Sequence, residues 1–314
     1  MRIPFTGCGT ALVTPFTSNG SLDEPGIRRL ARRQIDAGMH FLVPCGTTGE
    51  SPTLTGEERQ RVVKLVVEES AGRVPVMAGA GGYDTREVIE AVHAMTEAGA
   101  DGILSVTPYY NKPSQDGLYA HYRAIAESSD LPIVIYNVPG RTGCNVEPAT
   151  LARLAGVPNI VGVKEASGNM AQICEVCRVV PEEFLVLSGD DLIALPVMSV
   201  GGRGVISVAS NEAPAELARM IEAVERNDWA EARTLHTRML PLMAINFVES
   251  NPIPVKAAMA RMGLIEEIYR LPLVSPRPES RARIERVLAD TGLVDDAGSR
   301  VGAPSQGAAS GARG

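Results

Sequence analysis

Eight short apolar runs recur along the chain, and each is followed by a stretch in which apolar residues return every three or four positions. The runs fall at 9–14, 41–44, 74–80, 102–106, 133–137, 160–164, 184–188 and 204–208. Most are continuous rather than alternating, as expected of strands covered on both faces in a parallel sheet. The stretches between them, at 24–37, 55–70, 85–98, 114–128, 148–155, 170–179, 191–200 and 214–225, carry helical periodicity. Gly99, just past one of them, is the stop expected at a helix C-terminus. Eight βα units in series predict an α/β protein, a (β/α)8 TIM barrel over 1–225, rather than an open doubly wound sheet. Three more helical stretches, at 228–246, 254–262 and 279–291, predict a C-terminal helical region over 226–294. Positions 295–314 are rich in Gly, Ala and Ser, cannot bury enough apolar surface to order themselves, and are expected to form a disordered tail.

A chain of 314 residues with 45% hydrophobic content can bury a large core. The net charge of −7, with no basic run interleaved with aromatics, argues against a nucleic-acid partner. No apolar stretch approaches the roughly 18 residues of a membrane span. The first seven residues lack the charged and apolar regions of a signal peptide, so a cytoplasmic location is expected. Five cysteines, an odd number, fit a reducing compartment better than a disulfide framework. Cys174 and Cys177 form one C-x-x-C within a helical stretch, with no second pair to complete a zinc site, and read as packing residues one turn apart. His40, His93, His121 and His236 show no metal-binding spacing, and 79–82 is a glycine-rich strand-to-helix turn rather than a phosphate loop. Neither a metal nor an organic cofactor is expected.

In a barrel, catalytic groups come from the C-terminal ends of the strands and the loops that follow. Lys164 ends the sixth run and is followed at once by Glu165, Ala166, Ser167 and Gly168. Alone it reads as a solvated strand-end lysine, since perturbed lysines are the exception. At the edge of an apolar interior, however, desolvation disfavours an ammonium, and a neutral amine attacks carbonyls to form a Schiff base. After the second run, Thr47 and Thr48 sit among glycines and suit either carboxylate binding or an ordinary capped turn. The adjacent Tyr109 and Tyr110 follow the fourth run, as proton carriers or as an interface anchor. The fifth run ends in Tyr136, with Arg141 five residues on, supplying a proton donor and a fork for a carboxylate. Gly189 follows the seventh run and Ile206 lies in the eighth. The barrel topology brings these ends to one mouth, which would hold a Schiff-base lysine, a proton-transfer tyrosine, a hydroxyl relay and an arginine for an anionic substrate.

The segments 41–51 and 136–166, together with 107–115 and 251–256, resemble the dihydrodipicolinate synthase and N-acetylneuraminate lyase superfamily of pyruvate-dependent class I aldolases. The resemblance covers about residues 5–294. Thr47-Thr48, Arg141-Thr142-Gly143 and Tyr109-Tyr110 favour the dihydrodipicolinate synthase branch, since the lyases tend to carry Ser-Thr at the first position and an apolar residue with serine at the second. That branch implies condensation of pyruvate with L-aspartate 4-semialdehyde, in the diaminopimelate route to lysine, by a homotetramer. It implies that Lys164 forms the imine and Tyr136 is the acid/base group above it. Thr47 and Tyr110 would be relay partners, with Tyr110 reaching into a neighbouring subunit. Thr48 would bind the pyruvate carboxylate, Arg141 the semialdehyde carboxylate, and Gly189 and Ile206 would line the pocket. Ser51, Glu87 and Tyr109 match an interface site at which lysine inhibits many relatives. Inhibited relatives tend to carry histidines where this chain has Gly56 and Arg59, and often asparagine at Tyr83, so weak or absent inhibition is expected. Two rivals stay open at this point. One is a sister aldolase or dehydratase acting on a sugar acid or 4-hydroxy-2-oxoglutarate. The other is a non-catalytic ligand-binding barrel.

Overall fold

The computed structural model describes residues 4–294, so the expected tail at 295–314 lies outside the described residues. Eight strands are present: β1 (Gly7–Ala11), β2 (Phe41–Val43), β3 (Met77–Gly79), β4 (Gly102–Val106), β5 (Ile133–Asn137), β6 (Ile160–Glu165), β7 (Leu185–Ser188) and β8 (Gly204–Ser207). All pairings are parallel, in the order β2-β1-β8-β7-β6-β5-β4-β3. Between β2 and β3 the ring is joined by a parallel bridge from Leu42 to Val76 and by Gly79 N donating to Pro44 O at 2.9 Å. With helices between successive strands this is a (β/α)8 barrel.

Local chemistry sets the helix starts. Thr55 and Glu58 form a reciprocal capping box at the head of Gly56–Ser70, and Asp84, Ser114 and Asn169 cap the helices Thr85–Glu97, Gln115–Glu127 and Met170–Val179. The barrel interior is filled by Phe5, Phe41, Met77, Leu104, Val134, Leu185, Leu187 and Ile206. Phe5 and Phe41 meet edge to face at 5.7 Å. Their rings leave no room for side chains nearby: a Cβ on Gly9 would lie 2.1 Å from the Phe41 ring. β1 begins at Gly7, earlier than the apolar run predicts, because it pairs with β8 from Gly7↔Gly204 onward. β3 is shorter than predicted because Pro75 brings no backbone N–H to the ladder. The stretch 191–200 divides into a 3-10 turn, Asp191–Ile193, and a helix, Ala194–Ser199. A short helix, Pro139–Thr142, occupies what the sequence read as loop.

The helix Pro214–Glu225 packs against the outer face of β1, Trp229–Ile245 packs on that helix, and Pro278–Asp290 packs on Trp229–Ile245. Ile253–Arg261 lies between them in the chain, and the segment leading into it returns to the mouth of the barrel.

Candidate active site

Strand β6 does not alternate regularly. Val161 belongs to the barrel interior, whereas Val163, two residues on, packs in the layer between strands and helices. The parity changes because β6 is irregular where Ile133↔Ile160 gives way to Val134↔Gly162, leaving Val161 as an extra residue. Without this bulge, Lys164 would face the helices. With it, Lys164 pairs in register with Tyr136 on β5 and Leu187 on β7, both inward-facing. Gly162 permits the bend, since a Cβ there would meet Leu185 O at 2.6 Å.

The Lys164 side chain is buried, and its Nζ stands 4.2 Å from the centroid of the Tyr136 ring. Among the described residues no carboxylate pairs with it. The chain's other deeply buried lysine, Lys256, behaves differently: it forms a fully buried ion pair with Glu50. A buried amine without a carboxylate beside it is the one available for chemistry. Gly189 leaves room for its stem, because a Cβ at that position would lie 3.1 Å from Lys164 Cε and 2.6 Å from Ala166 Cβ.

Behind this pair, Glu165 faces the opposite way. It is buried and accepts from Asn137 Nδ2 at 2.9 Å and from the backbone N–H of Ser167 at 2.7 Å. Asn137 Nδ2 also donates to Asn145 Oδ1 at 2.9 Å, and Gln172 Nε2 reaches the same oxygen at 3.0 Å. The network fixes the ends of β5 and β6, and hence the relative placement of Tyr136 and Lys164. The sequence reading assigned Glu165 no role; its only signal was a charged residue immediately after the lysine in an apolar run.

The loop after β2 is held from three sides. Thr14 Oγ1 donates to Gly49 O at 2.7 Å, Lys256 pairs with Glu50, and the backbone N–H of Arg270 donates to Glu50 Oε2 at 3.3 Å. Within the loop, Thr48 is buried and Thr47 half-buried. Thr48 Oγ1 accepts from Asn251 Nδ2 at 3.0 Å, and Arg141, on the short helix after β5, donates from Nη2 to the Asn251 carbonyl at 3.3 Å. Thr47, Ser51 and Tyr136 line one narrow cavity of about 40 Å³ with Cys45, Arg59 and Leu104. Burial raises the Cys45 thiol to about 12, so it lines this cavity as an unreactive group. Larger surface clefts exist, such as that lined by Tyr119, Arg123 and Asn159, but they lie at the opposite rim, before β5 and β6. The convergence of reactive groups identifies the mouth more surely than cleft size does. Among the described residues no cluster of His, Cys, Asp and Glu could hold a metal ion.

Tyr110 stands apart from this group. It is 92% exposed and adopts a positive φ of 71°, a strained backbone for a tyrosine. Tyr109 stacks edge to face on Tyr83 at 5.2 Å, and both are exposed. Burial against this neighbour raises the Tyr109 phenol above its usual value. Gly56 and Glu87 are exposed on the helices beside them, and Arg59 is half-buried. Ile206 lies inside the barrel on β8, opposite Gly9.

The chain matches the Dihydrodipicolinate synthetase family over residues 4–291. It is 55% identical over 292 residues to the 4-hydroxy-tetrahydrodipicolinate synthase of Koribacter versatilis, covering 93% of this chain and 97% of that one. The crystal structure of dihydrodipicolinate synthase from Thermotoga maritima superposes with a TM-score of 0.91 at 44% identity, covering 93% of this chain and all of that one. A structure described as the first monomeric dihydrodipicolinate synthase variant matches equally well, with a TM-score of 0.91 at 44% identity over 92% of this chain and 98% of its own. With the family matched along nearly its whole described length, the chain belongs to the dihydrodipicolinate synthetase family.

Proposed function

We propose that the mouth of this barrel condenses pyruvate with L-aspartate 4-semialdehyde to 4-hydroxy-tetrahydrodipicolinate through an imine on Lys164, in diaminopimelate and lysine biosynthesis. The observation that carries this reading is the buried Lys164 amine, free of any carboxylate among the described residues and set against the Tyr136 ring at 4.2 Å. Lys164 Nζ attacks the pyruvate ketone and water leaves, giving the imine. The imine draws electrons from the methyl group, a proton departs, and an enamine forms. The enamine carbon attacks the aldehyde. The substrate's own amine then attacks the imine carbon, closes the ring and releases Lys164.

Tyr136 is suited to carry the protons because it faces Lys164 across the β5–β6 register. Thr47 shares its cavity and is the first relay partner. Thr48 binds the pyruvate carboxylate, Arg141 clamps the semialdehyde carboxylate, and Gly189 and Ile206 line the pocket. Tyr110 completes the relay from a second copy of the chain. Its exposure and strained φ, with exposed Tyr83 and Tyr109 alongside, support an aromatic face covered in a homotetramer. No described helix is long and apolar enough to cross a membrane, and we place the reaction in the cytoplasm.

Arg141→Ala tests the substrate assignment. A charge-assisted clamp on one carboxylate is worth on the order of 2–3 kcal/mol, so the KM for aspartate semialdehyde should rise about 30- to 150-fold with the pyruvate KM little changed. An unchanged semialdehyde KM, or faster turnover with a sugar-derived aldehyde, would move the assignment to a sister aldolase.

A further inference from the structure

Asn251 lies 203 positions after Thr48 in the chain, outside the eight βα units, yet it touches both residues assigned above to substrate carboxylates. Its side-chain Nδ2 donates to Thr48 Oγ1 at 3.0 Å. Its backbone carbonyl accepts from Arg141 Nη2 at 3.3 Å. The residue is 6% exposed, and its Oδ1 is buried without a hydrogen-bond partner.

The direction of the first bond matters. A threonine hydroxyl has one proton to give and two lone pairs to fill. With the Asn251 amide occupying a lone pair, the Thr48 proton remains free for another acceptor. A carboxylate oxygen is the acceptor that a substrate anion provides, and a hydrogen bond to it is charge-assisted. The orphaned Oδ1 is a second indication. An unsatisfied buried acceptor costs stability, and an apolar residue at this place would avoid that cost. An asparagine here therefore serves the site better than it serves the fold.

We propose that Asn251 is a positioning residue that commits the Thr48 hydroxyl to donate to the pyruvate carboxylate, and that its backbone carbonyl separately orients Arg141 toward the second substrate. One residue thereby couples the two anion sites, by its side chain on one side and its main chain on the other. The proposal rests on the assignment of Thr48 and Arg141 given above.

The split between side chain and main chain makes it testable. In Asn251→Ala the carbonyl remains, so the pyruvate KM should rise about tenfold, from the loss of a buried hydrogen bond to a hydroxyl that binds an anion. The semialdehyde KM should stay within about twofold, and the melting temperature should hold. Asn251→Asp keeps the shape but turns a donor into an acceptor and adds a negative charge, so its pyruvate KM should exceed that of the alanine variant. Thr48→Val should raise the pyruvate KM by itself, and adding Asn251→Ala to it should change little, because both remove the same interaction. If Thr48→Val raises the pyruvate KM and both Asn251 variants leave it unchanged, the role of Asn251 is refuted while that of Thr48 stands. If Thr48→Val also has no effect, the carboxylate assignment itself fails. Equal rises in both KM values for Asn251→Ala would mean that the residue only supports the loop, and would overturn the coupling.

Discussion

Replacing Lys256 by methionine removes one half of an ion pair whose two side chains are both 0% exposed. In the native structure, Lys256 Nζ donates to Glu50 and to Thr14 O at 3.2 Å, and stands 4.4 Å from the Phe16 ring centroid and 5.4 Å from that of Tyr269. Methionine fills most of this volume and packs well against the two rings. What it cannot do is neutralise Glu50, which among the described residues keeps only the backbone N–H of Arg270 at 3.3 Å as a hydrogen-bond donor. Stranding one charge of a buried pair costs about 3–5 kcal/mol. At this chain length each kcal/mol lowers the melting temperature by roughly 2 °C, so a fall of about 6–10 °C is expected. Adding Glu50→Gln removes the stranded charge and should recover most of the loss, leaving the double variant within about 2 kcal/mol of the parent. Urea unfolding monitored by circular dichroism measures both, read at the midpoint and checked for an unchanged slope. Because Glu50 closes the loop that carries Thr47 and Thr48, the single variant should also lose turnover. A loss below about 1 kcal/mol in Lys256→Met, or a double variant no more stable than the single, would refute the reasoning.

Other consequences can be checked with equal directness. Gly189→Ala places a Cβ against Lys164 Cε and Ala166, so kcat/KM should fall about 100-fold in a folded protein; a change below threefold would show that the lysine stem has slack. His121 is buried against Tyr122, and desolvation lowers it from 6.5 to about 4. The folded state thus keeps this ring neutral while the unfolded chain protonates it. Its contribution is present above pH 6.5 and is lost as the pH falls toward 4, by up to about 3 kcal/mol. His121→Phe should flatten stability across that window, and an unaltered acid profile would exclude the histidine as the cause. L-Lysine should inhibit weakly or not at all, since Gly56 and Arg59 remove imidazole contacts and add a cation near the proposed site; half-inhibition at sub-millimolar lysine would contradict this.

The barrel was legible because each strand is a short apolar run and several helices, such as those headed by Thr55, Asp84, Ser114 and Asn169, carry their own caps, both local properties of the chain. β4, β5 and the helices Met170–Val179 and Pro214–Glu225 fall where the pattern puts them. Strand ends were harder where pairing overrides hydropathy, as at Gly7, which opens β1 by pairing with Gly204 although the apolar run starts later. Lys164 was visible as a polar residue closing an apolar run, but the side of the sheet it faces was not. That depends on the bulge at Val161, which a simple count of alternation would miss. Asn251 and the Glu50–Lys256 pair were hidden for another reason. Their partners lie 203 and 206 positions away, and only the return of the C-terminal segment to the barrel mouth brings them together. The segment 251–256 entered the sequence reading as part of a resemblance, with no chemistry attached to it. Tyr110 is the reverse case: the sequence offered proton carrier or interface anchor, and its exposure with a positive φ favours a site completed from outside the single chain.

The central claim is that Lys164 is the amine that binds pyruvate, and covalent trapping addresses it without any assumption about the second substrate. The folded protein would be incubated with pyruvate and borohydride, then examined by intact mass and peptide mapping. One reduced pyruvyl group per chain on Lys164, absent in Lys164→Ala, is the predicted result. No adduct on a folded protein, or an adduct on Lys256 instead, would contradict the imine mechanism.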